Sequence, residues 1–229
     1  GTPVRAVHED PVKEGIVYAG TEHGMFVSFD GGRRWQSLQL NLPVTPVADF
    51  KVHRNDLVLA TQGRSLYILD DVTPLHQLAD VVAGAGAHLF APRDAHRVQV
   101  GGGGAGGIES APDPLPQGAL LHTWFAAAPD STVRLDIVDA QGRTVRSFTT
   151  DTARARELGQ PALKARAGAQ RLAWDLTYPG PRLLKGQVIW GYTGGVKAPP
   201  GTYTARLVAG TATQSRTFCG SCHVMEPHA

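Results

Sequence analysis

Two thiols and an imidazole fall within five residues near the end of the chain, Cys219-Gly220-Ser221-Cys222-His223. Cys-x-x-Cys-His is the pattern to which haem c is attached. Thiols at Cys219 and Cys222 could add to the two vinyl groups of one porphyrin. His223 would then supply an axial nitrogen, and the other axial ligand would set the iron potential. Both cysteines of the chain lie in this pattern, so there is no disulfide framework elsewhere. Three plainer readings stand beside haem: an idle dithiol, a local disulfide, or half of a zinc site. The motif begins the segment 219–229, which offers few side chains to bury a porphyrin. His228 is a weaker candidate ligand.

Other reactive residues lack partners in useful spacing. Asp70-Asp71 could hold Ca²⁺, but two carboxylates without a third ligand more often mark a solvated turn. Glu9-Asp10 and Glu22-His23 read as loop residues. A glycosidase needs two carboxylates across a cleft, and no such pair falls on identifiable facing elements. No serine sits in a Gly-x-Ser-x-Gly elbow. His53, His76, His88, His96 and His122 show no metal-ligand spacing. The glycine tract Gly101–Gly107 lacks the Lys-Ser/Thr ending of a phosphate loop and reads as a linker. Trp190-Gly191-Tyr192 could stack on a sugar or a partner, or simply pack on its own domain. The site set therefore contains no catalytic residue.

The elements that must carry these residues are strands. The 229 residues include 27 Gly and 16 Pro, with 42% hydrophobic and 18% charged residues. Such a chain can bury a core, and short strands with tight turns suit it best. The net charge of +2 is spread without a basic run, which argues against nucleic acid. No apolar stretch is long enough for a membrane span. The first residues, Gly1-Thr2-Pro3-Val4, suggest a piece of a longer or processed chain. Ile16–Ala19 aligns with Leu57–Ala60, and Met25–Val27 with Leu66–Ile68, both at an offset of 41. A period near 40 with several strands per unit predicts β-propeller blades. The first copy continues into Ser28-Phe29-Asp30-Gly31-Gly32-Arg33-Arg34-Trp35, an Asp box, Ser-x-Asp-x-Gly-x-x-Trp. Asp30 can accept bonds from the amides of its own turn, Gly32 can take positive φ, and Trp35 is expected to bury its indole over the turn. In the second copy the box is reduced to Leu69-Asp70-Asp71.

Tyr18–Gly24, the Asp box, Gln36–Pro43 and Tyr67–Asp71 resemble the last blades of large bacterial BNR-repeat, sortilin-like propeller proteins. His88-Leu89-Phe90-Ala91-Pro92-Arg93 resembles the segment that leaves such a propeller. In that family the Asp box is a folding device, found in enzymes and receptors alike. Cys-x-x-Cys-His-x-Met resembles the first haem site of NapC/NrfH-type multihaem cytochromes, which makes Met225 a candidate axial ligand. Sandwich domains of the propeller family normally end without cysteines, so the tail departs from the pattern.

From about 113 to 218, six or so alternating runs predict an immunoglobulin-like sandwich. They are Ala119–Ala126, Val133–Ile137, Thr144–Thr149, Arg171–Leu176, Gly201–Val208 and Thr211–Phe218. Asp139-Ala140-Gln141-Gly142 reads as the hairpin turn between the second and third runs. The order of these features resembles the FlgD-type domain that follows such propellers. For Asp151–Ala169 a helical turn and a loop both remain open. The expected organisation is all-β: partial propeller 1–75, connector with a Gly-rich linker 76–112, sandwich 113–218 and Cys-x-x-Cys-His tail 219–229. The expected role is a non-enzymatic interaction or scaffold module of an exported, periplasmic or extracellular protein. Its open sheet edges would be covered by a protein partner or by further blades. Two alternatives are a periplasmic electron-transfer component with haem c, and a piece of a carbohydrate-active enzyme whose site lies outside this chain.

Overall fold

β-Branched, aromatic and small residues alternate through most of the chain, and among the described residues they form antiparallel sheets accompanied by two short helices. The computed structural model describes residues 2–81, 86–96, 118–181 and 194–221. Two units are present, Gly1–Ala83 and Gly84–Ala229. The protein is all-β, and none of its described sheets closes on itself.

In the first unit, β1 (Val4–Glu9), β2 (Val17–Thr21), β3 (Gly24–Ser28) and β4 (Gln36–Ser37) form a four-stranded meander. A three-stranded meander follows, β5 (Val47–His53), β6 (Asp56–Thr61) and β7 (Leu66–Leu69). The repeat extends to irregularities. The β1–β2 ladder slips between Val4 and Ala6, opposite Thr21 and Gly20. The β5–β6 ladder slips between Val47 and Asp49, opposite Thr61 and Ala60. Each following turn is closed by a threonine hydroxyl, Thr21 Oγ1 donating to the Gly24 carbonyl at 3.0 Å and Thr61 Oγ1 to that of Ser65 at 2.6 Å.

These landmarks correct the sequence alignment. Gly20 corresponds to Ala60, an offset of 40, whereas their ladder partners Met25 and Leu66 are 41 apart. The second turn holds one extra residue. Because successive strand residues face opposite sides, this slip decides which face is buried. The shared core takes Tyr18, Met25 and Val27 from the first meander, but Phe50, Leu57 and Leu59 from the second. In ladder position, Tyr18 corresponds to Val58 and Val27 to Ile68, neither of which is in that core. The meanders are thus stacked like successive copies, one face of the first on the opposite face of the second.

The connector expected over 76–112 is shorter than that range. Helix α1 (Thr73–Val81) continues the first unit, with Leu75 packed against its core. β8 (Ala87–Leu89) already belongs to the second unit, because its backbone pairs with β9 (Ala119–Phe125). The Gly101–Gly107 tract lies outside the described residues.

The second unit continues with β10 (Val133–Asp139), β11 (Thr144–Thr149), helix α2 (Thr152–Glu157), β12 (Gly168–Trp174), β13 (Gly201–Ala209) and β14 (Ala212–Gly220). Its sheets run β11-β10-β13-β14 and β12-β9-β8. Between Asp151 and Ala169 the helical alternative holds for one short stretch, because Asp151 Oδ1 accepts the Ala153 and Arg154 amides at 2.9 and 3.1 Å and caps α2. β12 stops at Trp174 rather than Leu176, which has φ +54° and turns the chain away. Both sheets contribute to one core centred on Trp174, whose indole meets Tyr203 and Phe218 edge-on. Gln214 joins the two sheets: its amide oxygen accepts from Leu89 N at 2.9 Å and its amide nitrogen donates to Ala87 O at 2.8 Å. One side chain thus supplies both bonds of a ladder step between β14 and β8.

Candidate functional site

The Asp-box residues come together at the end of β3. The Ser28 hydroxyl donates to Asp30 Oδ1 at 2.9 Å and accepts the Gly32 amide at 2.9 Å. Asp30 Oδ1 also accepts the Arg34 amide at 2.8 Å, and Oδ2 accepts Arg34 Nε at 3.1 Å. The Arg34 amide does most to hold the Asp30 carboxyl below its ordinary pKa, with the Ser28 hydroxyl and Arg34 side chain adding to it. Gly32 has φ +89°, and a Cβ there would lie 3.6 Å from the Trp35 ring. Trp35 does lie over the turn, but the expectation that it is buried is corrected: it is 41% exposed. Two short turn residues and a glycine cover only part of an indole. Asp30 is fully occupied in this turn, so the box acts on the backbone that carries it.

A second polar cluster was not legible as such in the sequence. Asp10 follows β1 and its side chain is buried. Its Oδ1 accepts the Val12 and Lys13 amides at 2.8 and 2.9 Å. Its Oδ2 accepts Tyr18 Oη and His76 Nε2, both at 2.9 Å. Burial pushes the Asp10 pKa up, but the two amides, His76 and Tyr18 outweigh it and leave it below the ordinary carboxylate value. Burial and the Asp10 charge push the Tyr18 hydroxyl well above its usual pKa. Reading Asp10 as a loop residue misses that it ties the β1–β2 connection to β2 and to α1. The separation of 66 positions between Asp10 and His76 hides the pair from spacing arguments.

The remaining carboxylates also have structural roles. Glu9 accepts the Gly15 amide at 3.0 Å, and Glu22 pairs with Arg5 at 2.6 Å. Asp71 is buried rather than solvated. Its Oδ1 takes the Thr73 amide and hydroxyl at 3.1 and 2.6 Å at the start of α1. Among the described residues, no group of three or more His, Cys, Asp or Glu is placed to hold a metal ion.

Of the expected haem ligands, Cys219 is described; Cys222, His223, Met225 and His228 lie outside the described residues, as does Trp190-Gly191-Tyr192. Cys219 is in β14 and its backbone is clamped. Its amide donates to Asp94 Oδ1 at 2.8 Å, its carbonyl accepts the Ala95 amide at 2.8 Å, and the Ser221 amide donates to Ala95 O at 2.8 Å. Ala95 and Gly220 form a short parallel bridge. A Cβ on Gly220 would come within 2.7 Å of the Tyr203 ring, so core packing dictates the glycine after Cys219. Cys219 is disulfide-bonded, and its sulfur can add to a vinyl group only after reduction. The described residues therefore fix the start of the motif without showing a haem-ready thiol.

An apolar row lies on the face of the second meander turned away from the shared core. Val58 and Ala60 are half-buried there, while Leu66 and Ile68 are 67% and 52% exposed. On the first meander the corresponding outward row is Val7, Ala19 and Phe26, of which Val7 is exposed, Phe26 half-buried and Ala19 buried. Among the described residues, no helix is long and apolar enough to cross a membrane. No protein-family model and no curated protein matches this chain.

Proposed function

We propose that this chain is a non-enzymatic interaction module of an exported protein: two successive propeller blades of the Asp-box type, followed by an immunoglobulin-like sandwich. The blade reading is supported by the repeated bulge, the repeated threonine-closed turn and the stacking of opposite faces. The sandwich reading is supported by two antiparallel sheets around a common Trp174-centred core. The observation that carries the function is the apolar row Val58, Ala60, Leu66 and Ile68, left open where a stacked sheet would sit. The carboxylates Asp10 and Asp30 of the first meander are spent on holding turns. A photo-crosslinking residue at position 68, with one at Gln141 as control, tests this in the producing cell. Protein adducts through 68 and not through 141 are expected; equal or absent adducts would remove the reading.

A second reading rests on the clamp around Cys219. Three bonds to Asp94 and Ala95 would give a haem c a fixed first attachment point, with Cys222 as the second thioether and His223 as axial ligand. The bound haem would supply one-electron transfer; the chain would supply its anchor. Intact mass and a pyridine haemochrome spectrum of protein from an exporting host test it, and an unmodified mass would end it.

A further inference from the structure

We propose that the open face of the second meander binds the first meander of another copy of this chain, head to tail. The inference rests on the interaction reading above and names the partner. It follows from which faces the stacking leaves over. The joint inside the first unit is made by the Tyr18 face of the first meander and the Leu59 face of the second. By ladder position, the open row of the second meander is the counterpart of the first of these: Val58 stands for Tyr18, Ala60 for Gly20, Leu66 for Met25 and Ile68 for Val27. All four are apolar. The outward row of the first meander is the counterpart of the other: Val7 stands for Phe50, Ala19 for Leu59 and Phe26 for Tyr67. Among the described residues, the two faces outside this joint are therefore counterparts of its two halves, although on the first meander only Val7 is exposed, Phe26 being half-buried and Ala19 buried.

Charges agree with this placement. In the existing joint His8 of β1 meets Asp49, at 3.2 Å, and the edge of Phe50. In the new joint Lys51 takes the place of His8, and Val7 takes that of Phe50. No like charges are brought together at that point, and Lys51 can reach solvent over an apolar neighbour. Such a contact is heterologous, so it propagates into rings or chains of copies rather than stopping at a symmetric dimer.

Sedimentation of the full chain over a wide concentration range tests the proposal, with Ile68→Lys and Val7→Lys spoiling one face each and Val12→Lys as an exposed control. The parent and control should associate with rising concentration. Each face variant alone should be at least tenfold weaker. An equimolar mixture of the two face variants should form one-to-one dimers and stop there, because one intact face of each kind remains. Thermal melts establish that the variants are folded. A parent that stays monomeric at several hundred micromolar, face variants that associate like the parent, or a mixture that fails to pair would each overturn it. Adducts through position 68 to a different protein, with a monomeric parent, would overturn the partner and leave the interaction reading standing.

Discussion

Asp10 shows how much one side chain can be asked to do. It satisfies two amides, a phenol and an imidazole from three segments of the first unit. Its pKa is lower folded than unfolded, so the stability it adds is present above the ordinary carboxylate pKa and is lost as pH falls through and below it. The first unit is expected to weaken on acidification through that range, and Asp10→Asn should flatten the dependence. At neutral pH the same substitution should cost about 1–3 kcal/mol, read from denaturant midpoints. Ser28→Ala should cost about 1–2 kcal/mol, because the buried hydroxyl both donates to Asp30 and accepts from Gly32. The Asp box could be read directly from the sequence because its partners lie within eight residues, 28–35. The Asp10 cluster could not, since its imidazole arrives from a helix that only folding brings near.

Strands were legible wherever apolar and polar residues alternate, and β10, β11 and β13 lie close to where that alternation placed them. Their registers were another matter. A 41-residue period fits β3 and β7, but one added residue in the turn after β6 moves the β2–β6 correspondence by one. An alignment scored on residue type hides such a slip, because both neighbours on a strand can be apolar. β8 was missed because three residues carry no period. What holds β8 to the other sheet is the Gln214 amide. Gln214→Ala should leave both sheets paired internally while amide exchange at Ala87 and Leu89 rises several-fold, measured by hydrogen–deuterium exchange. Uniform acceleration across β13 and β14 would show instead that the glutamine supports the whole sheet.

Among the described residues, one hydrophobic cluster surrounds Phe50 in the first unit and another surrounds Trp174 in the second. Trp174 is fully buried, and Trp174→Ala should cost about 3–5 kcal/mol in the second unit. Exchange in β2 and β3 should hardly change, which probes by segment can distinguish. The all-β class was legible from composition and turns; the use of opposite faces was not, because it depends on stacking between distant segments. The ring of Tyr203 against Gly220 has a separate consequence for the tail. A library randomised at both positions between the cysteines, and sorted only for soluble expression, should return glycine at the first and, because Ser221 has φ +63°, residues that tolerate positive φ such as Gly, Asn and Asp at the second. Evolution of whatever chemistry the tail performs would then be confined on one side by the architecture of the β-sheet in which its first two residues lie.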